Sequence, residues 1–459
     1  MTPTAWILVA SFTSAAMLLL RRVGVNLSLT SVLVGLLILV HGPAYLYYTR
    51  IYGPDTDFFD TIVSAARGQD VLPTLDMAMA FTFIFVCLGS LFVDFTCRVD
   101  SKRWKRAVLA WENTTVTAGK AETRRIVNAC AILAIGLMLP FIVIDAQLPK
   151  TLNYFTSDLG EFEKIALRRE GGGSDFYLYN LLLSNLLPFA AFCMIGLLYS
   201  KAKVSTPQAL AFIALVAIGK AATLSKAPLS VFVLQCAIVW LMMRKITISW
   251  RAGFGLTSFS TLLFIIMSWV ANPSSDELLL VLDFLFYRVF MIVNEGLLEY
   301  FTAIPYVIDY SWGTQSSWIA TLFQAAPRLP TYWLVGEVHR GVLGSTTTVM
   351  FLGDGWADFA WPGVIVTAFA AGALTRWIDI QLIVRRGKTV SSVAGLALGH
   401  FGIFISLSTS FQTALITGGL ALVIPFVHFL GRGQRRLFKM PPPPAAPSKA
   451  ESIMLGISK

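Results

Sequence analysis

The chain has 459 residues, of which 56% are hydrophobic and only 14% charged, with a mean hydropathy of +0.69. A soluble domain of this size carries about 25% charged residues, so composition excludes an ordinary soluble enzyme. The net charge of +10 does not point to nucleic acid either: the basic residues sit in short segments between apolar runs, where they orient a protein in its membrane.

The apolar runs approach about 20 residues, enough to cross a hydrocarbon core of roughly 30 Å. In lipid they must be helical, because the backbone can satisfy its hydrogen bonds only internally. The short alternating segments of a β-barrel do not occur. In chain order, about eleven transmembrane helices are expected, near 4–20, 27–48, 76–95, 126–145, 177–199, 207–222, 228–243, 253–271, 357–376, 391–409 and 411–430. The N-terminus has no basic n-region or small-residue cleavage site, so the first run is expected to stay. Cys87, Cys97, Cys130, Cys193 and Cys236 lie in or beside apolar runs, which predicts no structural disulfide.

The segment from Cys97 to Arg125 holds Arg98, Lys102, Arg103, Lys105, Arg106, Lys120, Arg124 and Arg125. By the positive-inside rule it is cytoplasmic. Alternation then puts the N-terminus outside and the C-terminus inside, with 25 of the 36 basic residues on the cytoplasmic side. The expected organisation is a single all-α polytopic transmembrane domain over 1–438. Two large outer loops span 146–175 and 272–355, and a disordered Pro-rich cytoplasmic tail covers 439–459. Tyr45, Tyr47, Tyr48 and Tyr52 at the end of the second run read as an interfacial aromatic belt.

Chemistry concentrates on the outer side. Arg168 and Arg169 precede three glycines in ALRREGGGSD. Their planar guanidinium forks suit diphosphate oxygens, and pairing with Glu161 or Glu163, or with lipid phosphates, is the competing account. Lys226 sits in the short turn LSKAPLS, where a shallow cation serves either as a binding group or as a snorkelling anchor. Arg288 lies in LDFLFYRVFMIVNEGLLEYF; helical spacing puts Glu295 on its face and Glu299 one turn on, giving either a tethering ion pair or a ligand site. Glu337, His339 and Arg340 follow.

Next, GDGWADFAWPG places Asp354 and Asp358 at i and i+4 at the mouth of a span. They can supply a general base or cap the helix N-terminus. Asp55 and Asp57 form a DxD pattern that holds a divalent cation in some glycosyltransferases; a solvated acidic turn is the plainer reading. The four histidines have no metal-ligand spacing, and no nucleotide-binding or hydrolase signature appears in a suitable context. No metal or cofactor is expected. Trp312, Trp318, Trp333, Trp356 and Trp361 suit either sugar stacking or interfacial anchoring.

This pattern resembles the bacterial O-antigen and oligosaccharide repeat-unit polymerases (Wzy-type). Gly353–Gly363 aligns without gaps on that family's G-E-x-Y-x-N-F-G-x-x-G pattern, with Asp354 at the acidic position, Trp356 at the aromatic, Asp358 at the amide and Gly363 at the final glycine. Ala360 stands where the family has a glycine. ALRREGGGSDFYLYNLLLSNLLPF, LSKAPLSVF and FLFYRVFMIVNEGLLEYF are similar to its basic outer segments, in the same order. Thr346–Thr348 occupy the place of a His-Asn pair found in related ligases and polymerases.

The resemblance implies a GT-C-like helical bundle that joins undecaprenyl-diphosphate-linked repeats on the outer face of the bacterial cytoplasmic membrane, making O-antigen, capsule or exopolysaccharide. Its partners would be the lipid-linked glycan donor and acceptor, membrane lipids and a chain-length regulator protein, with no nucleic acid. Arg168, Arg169, Lys226, Arg288 and Arg340 would hold diphosphate or substrate, with Asp354 as base and Glu295 and His339 as alternatives. A lipid-linked glycan ligase, or another GT-C-type glycosyltransferase, shares most of these features. A polysaccharide flippase or transporter is the non-enzymatic reading; it predicts broken helices with charges near the bilayer midplane.

Overall fold

The computed structural model describes residues 2–138, 181–200, 202, 204–221, 226–271, 278–315, 320, 329–342 and 345–430. Among these every extended element is a helix, and the β contacts are isolated bridges between Asn26 and Thr247 and between Thr117 and Thr389. Six helical stretches are long and apolar enough to cross a membrane: Pro3–Val23, Leu29–Asp55, Leu72–Thr96, Leu182–Tyr199, Phe351–Arg386 and Phe411–Leu430. Thr206–Ala221, Pro228–Arg244 and Val390–Ser406 are apolar but shorter. The chain has the make-up of an α-helical multi-pass membrane protein.

The helices that position the site are α1 (Pro3–Leu18), α2 (Leu29–His41), α3 (Leu72–Thr96), α4 (Ser101–Asn113), α5 (Leu187–Tyr199), α6 (Ile292–Ala303), α7 (Thr331–Arg340), α8 (Phe351–Asp379) and α9 (Val390–Ser406). At the centre α3 and α8 run side by side in parallel. A Cβ on Gly89 would collide with the Phe369 carbonyl, and one on Gly372 with that of Val86. Ser90 Oγ donates to the Gly372 carbonyl at 3.2 Å. Lipid tails are as apolar as leucine, so helices in a membrane gain by close backbone approach at small residues, and this crossing does so.

Charge locks one end of that pair. Asp94 at the end of α3 accepts from Arg22 Nε at 2.8 Å and from Arg376 Nε at 2.7 Å. The Arg376 guanidinium also lies 4.0 Å above the Trp104 ring, and the Trp104 indole N–H donates to the Val23 carbonyl at 2.7 Å. In α4 the buried residues are Trp104, Ala107, Val108 and Trp111. That i, i+3, i+4, i+7 spacing is the apolar stripe of a surface helix, and it ties the basic segment to the bundle end. Asp379 receives the backbone N–H groups of Leu29 and Thr30 at 2.7 and 2.9 Å. A carboxylate there offsets the positive end of α2.

A second group of helices packs around α5 and α9. The Asn185 amide donates to the Ile416 and Thr417 carbonyls, and the Gln235 amide to the Ala397 carbonyl at 2.8 Å.

Several expectations change. The run expected at 411–430 is a candidate span over the same residues, though it is interrupted, with helices Phe411–Ile416 and Val423–Leu430 separated by a turn. The span expected from residue 357 begins at Phe351, so Asp354 lies within it as Asp358 does. The expected tyrosine belt does not all face outward: Tyr45 and Tyr48 are buried, and the Tyr45 hydroxyl donates to Asp76 at 2.9 Å. A buried carboxylate that also pairs with Arg50 at 2.7 Å draws the phenol inward. The outer loop 146–175 and the tail 439–459 lie wholly outside the described residues.

Candidate functional site

The site begins where α8 breaks. Phe359 (φ −138°, ψ 20°) and Ala360 (φ 52°, ψ −135°) are not helical, and Pro362, which has no N–H to offer a helix, follows at once. The break frees the carbonyls at the end of the first segment, and a loop takes them: Ser311 N–H donates to Ala357 O at 2.9 Å and Trp312 N–H to Asp358 O at 3.0 Å. Glycines let the two halves close up, since a Cβ on Gly363 would collide with the Gly355 carbonyl.

Above the break lies a cavity of about 910 Å³. Asp354 is buried in its wall and accepts from the Tyr300 hydroxyl at 3.3 Å. Asp358, one turn on, accepts from Ser311 Oγ and the Gly313 N–H. The Gln315 amide contacts both carboxylates and accepts from Thr331 Oγ1 at 2.9 Å. The two aspartates are thus held by a neighbouring loop and helix, and neither side chain caps α8, whose N-cap position is Met350.

The remaining walls are hydroxyl-rich and aromatic. Thr346–Thr348 form one side, fixed by Thr347 N–H donating to Tyr332 O at 3.2 Å. Ser408–Thr413 form another, and Trp312, Tyr332, Phe359 and Phe411 present rings. Trp312 is 62% exposed and has φ 50°, a backbone region that costs an L-residue energy. Trp356 faces the other way: it is buried, stacks on Phe301 at 4.5 Å and donates to Ile304 O at 3.1 Å. Below the break the cavity follows α8 past Gly363 to Val366, which is 64% exposed on an otherwise apolar span.

No family model matches the chain, and no curated protein or solved structure is significantly similar to it.

Of the candidate bases, Asp354 lines the cavity while Glu295 and His339 do not. Glu295 accepts from the Tyr287 hydroxyl at 2.9 Å, and burial holds its carboxyl above the usual range. His339 Nε2 faces the Glu299 carbonyl at 3.0 Å, and its Nδ1 is buried without a partner; burial lowers its pKa, favouring the neutral ring.

The candidate cations are dispersed. Arg340 pairs with Glu299 at 2.6 Å and donates to Thr347 Oγ1 at 3.0 Å, so its charge is already matched. Arg288 does not meet Glu295 as the helical spacing predicted: a π-helical turn over Tyr287–Met291 shifts the register, and Arg288 lies exposed, 5.1 Å over the Phe284 ring. Lys226 begins the Lys226–Arg244 helix. Arg168, Arg169 and Trp318 lie outside the described residues.

Asp55 and Asp57 are exposed at the start of a short helix, and no cluster of three His, Cys, Asp or Glu able to hold a metal occurs among the described residues. Sequence reasoning passed over Tyr300, Gln315 and the Ser408–Thr413 wall. The last carried a signal, a polar STSFQT run interrupting two apolar segments.

Proposed function

We propose that this protein is a membrane glycosyltransferase that joins undecaprenyl-diphosphate-linked oligosaccharide repeats. Its bundle is of GT-C type with eleven spans, the N-terminus outside and the C-terminus inside, and the site faces the outer side of the cytoplasmic membrane. The observation that carries this reading is the cavity at the break of α8, where the Asp354 carboxylate meets hydroxyl-bearing walls and exposed rings.

Sugars are bound by that combination. Hydroxyls and amides pair with ring hydroxyls, and aromatic faces cover the C–H faces of the ring. In the reaction an acceptor hydroxyl oxygen attacks the anomeric carbon of the donor sugar. The bond from that carbon to the diphosphate oxygen breaks, and the lipid diphosphate leaves with the electron pair. Asp354 takes the hydroxyl proton as general base, and the Tyr300 hydroxyl keeps its carboxylate oriented.

Two features bear on which substrate sits where. Among the described residues that line the cavity none is Lys, Arg or His, which favours it as the glycan acceptor side. The diphosphate cations are then Arg168, Arg169, Lys226 and Arg288; Arg340, already paired with Glu299, supports the wall instead. The extension of the cavity to exposed Val366 gives a lipid-linked substrate a lateral way in from the hydrocarbon.

A lipid-linked glycan ligase would use the same cavity with another acceptor. The test is a chain-length ladder on a gel from cells carrying only the Asp354→Asn variant. Single repeats without long chains are expected, at normal protein level. A full ladder sinks the assignment, and loss of all surface glycan, with polymer retained on its lipid, points to the ligase.

A further inference from the structure

At the opposite end of α8 a second cavity, of about 690 Å³, lies where the Leu19–Val23 turn after α1 meets the end of α3 and the start of α4. Arg22, Arg98, Arg103 and Arg106 converge on it, against Asp94 and Asp100. Both carboxylates are already engaged. Asp94 is shared between Arg22 and the buried Arg376, and Asp100 caps α4 by accepting the Arg103 N–H at 2.6 Å. Both terminal nitrogens of Arg376 are buried behind Asp94 without a hydrogen-bond partner, so the positive charge there exceeds what Asp94 can balance. Arg98, Arg103 and Arg106 enter none of the ion pairs among the described residues; Arg103 donates instead to the Arg98 carbonyl at 3.1 Å.

The position selects the kind of anion. From the break at Ala360 to Arg376 the helix rises about 24 Å at 1.5 Å per residue, close to one hydrocarbon thickness. With α8 crossing the membrane as the proposed function requires, the cavity sits at headgroup depth on the far side from the Asp354 site. Its apolar lip is Phe95, 83% exposed, and the same helix continues upward with Phe92 and Leu88, both exposed. Guanidiniums fit the paired oxygens of a phosphate, and an exposed apolar ridge leading away from them fits acyl chains.

We infer that this cavity binds the phosphodiester headgroup of an anionic phospholipid, with Arg98, Arg103 and Arg106 on the phosphate and the acyl chains along the Leu88–Phe95 ridge. Bound there, the lipid bridges α4 to the ends of α1 and α3 and fixes the basic segment beneath the bundle.

The test uses the full-length protein in neutral detergent, read by native mass spectrometry and thermal unfolding. The probes are phosphatidylglycerol, phosphatidylcholine and inorganic phosphate. One phosphatidylglycerol per chain, with a raised unfolding temperature, is expected. The triple variant Arg98→Gln/Arg103→Gln/Arg106→Gln should bind about a hundredfold more weakly, taking roughly fivefold per basic residue near a charged headgroup. Lys102→Gln/Lys105→Gln, on the same helix but outside the cavity, should bind almost as well as the unaltered protein. Equal binding of phosphatidylcholine, equal losses in the two variants, or equal saturation by inorganic phosphate would each overturn the proposal. All five substituted side chains are at least partly solvent-facing, so both variants should fold, and the unfolding temperature without lipid checks that they do.

Discussion

Glu299 has no solvent exposure, yet it carries an ion pair to Arg340 and accepts from Thr347 Oγ1 at 2.6 Å. Burial dominates and pushes its carboxyl up to about 7, with Thr347 and Arg340 offsetting only part of the penalty. A carboxyl whose pKa is raised on folding binds its proton more tightly in the folded state. Its contribution is therefore present below its ordinary pKa and is lost as pH rises through about 7. Thermal stability should fall between pH 5.5 and pH 8.5, and Glu299→Gln should reduce that slope without abolishing it, since Glu295 is one of the other buried carboxyls shifted the same way. Arg340→Ala should steepen it. Because Arg340 is 28% exposed, the cost at pH 8.5 is about 2 kcal/mol, below that of a fully buried broken pair. Unfolding curves at the two pH values check both variants; parallel curves for wild type and Glu299→Gln would show that Glu299 is not the titrating group. The outcome matters for function because Thr347 forms one wall of the cavity.

Element by element, the site depends on one interrupted helix. Ala360 takes φ 52°, ψ −135°, a region nearly reserved for glycine that costs another residue about 1–3 kcal/mol. It is also the position at which the Wzy-type pattern carries glycine. Ala360→Gly should raise stability by about 1 kcal/mol, the relieved strain exceeding the extra freedom glycine has in the unfolded chain. Glycan chain length should be unchanged, since the break itself is kept by Pro362 and by the Ser311 and Trp312 N–H groups. Thermal unfolding of the purified variant reads the gain, and a loss of stability would mean that the break relaxes when the side chain is absent. The same motif shows why its other glycines are there: Gly355 and Gly363 touch through backbone, and Gly353 faces Val349.

Across the whole molecule, polar chemistry gathers at the two ends of the parallel α3–α8 pair. The basic end carries Arg22, Arg98, Arg103, Arg106 and Arg376, and the other carries Asp354, Asp358 and the hydroxyl walls. In the proposed orientation, which follows the positive-inside rule, the basic end is cytoplasmic. A fluorescent protein that matures only in the cytoplasm should therefore glow when fused after Lys459. Alkaline phosphatase inserted after Gly172 should be active, because it folds only outside. The reverse pattern would invert the orientation and remove the outer-face assignment.

The sequence alone determined the membrane class, the helical class and the uneven placement of charge, because each depends on local composition: about 20 apolar residues need lipid and internal hydrogen bonds wherever they occur. It also singled out Gly353–Gly363, through two aspartates at i and i+4 and the likeness of that run to the Wzy-type pattern. It could not decide partners. The register shift at Tyr287–Met291 that separates Arg288 from Glu295, the matching of Arg340 by Glu299, and the inward turn of Tyr45 toward Asp76 all depend on which helices meet. So does the cavity: Tyr300, Gln315, Thr346–Thr348 and Ser408–Thr413 are far apart in the chain, and only the packing of helices around the break of α8 brings them to Asp354. Burial and contact are properties of the folded whole, and these set which charged side chains are paired and which stand free.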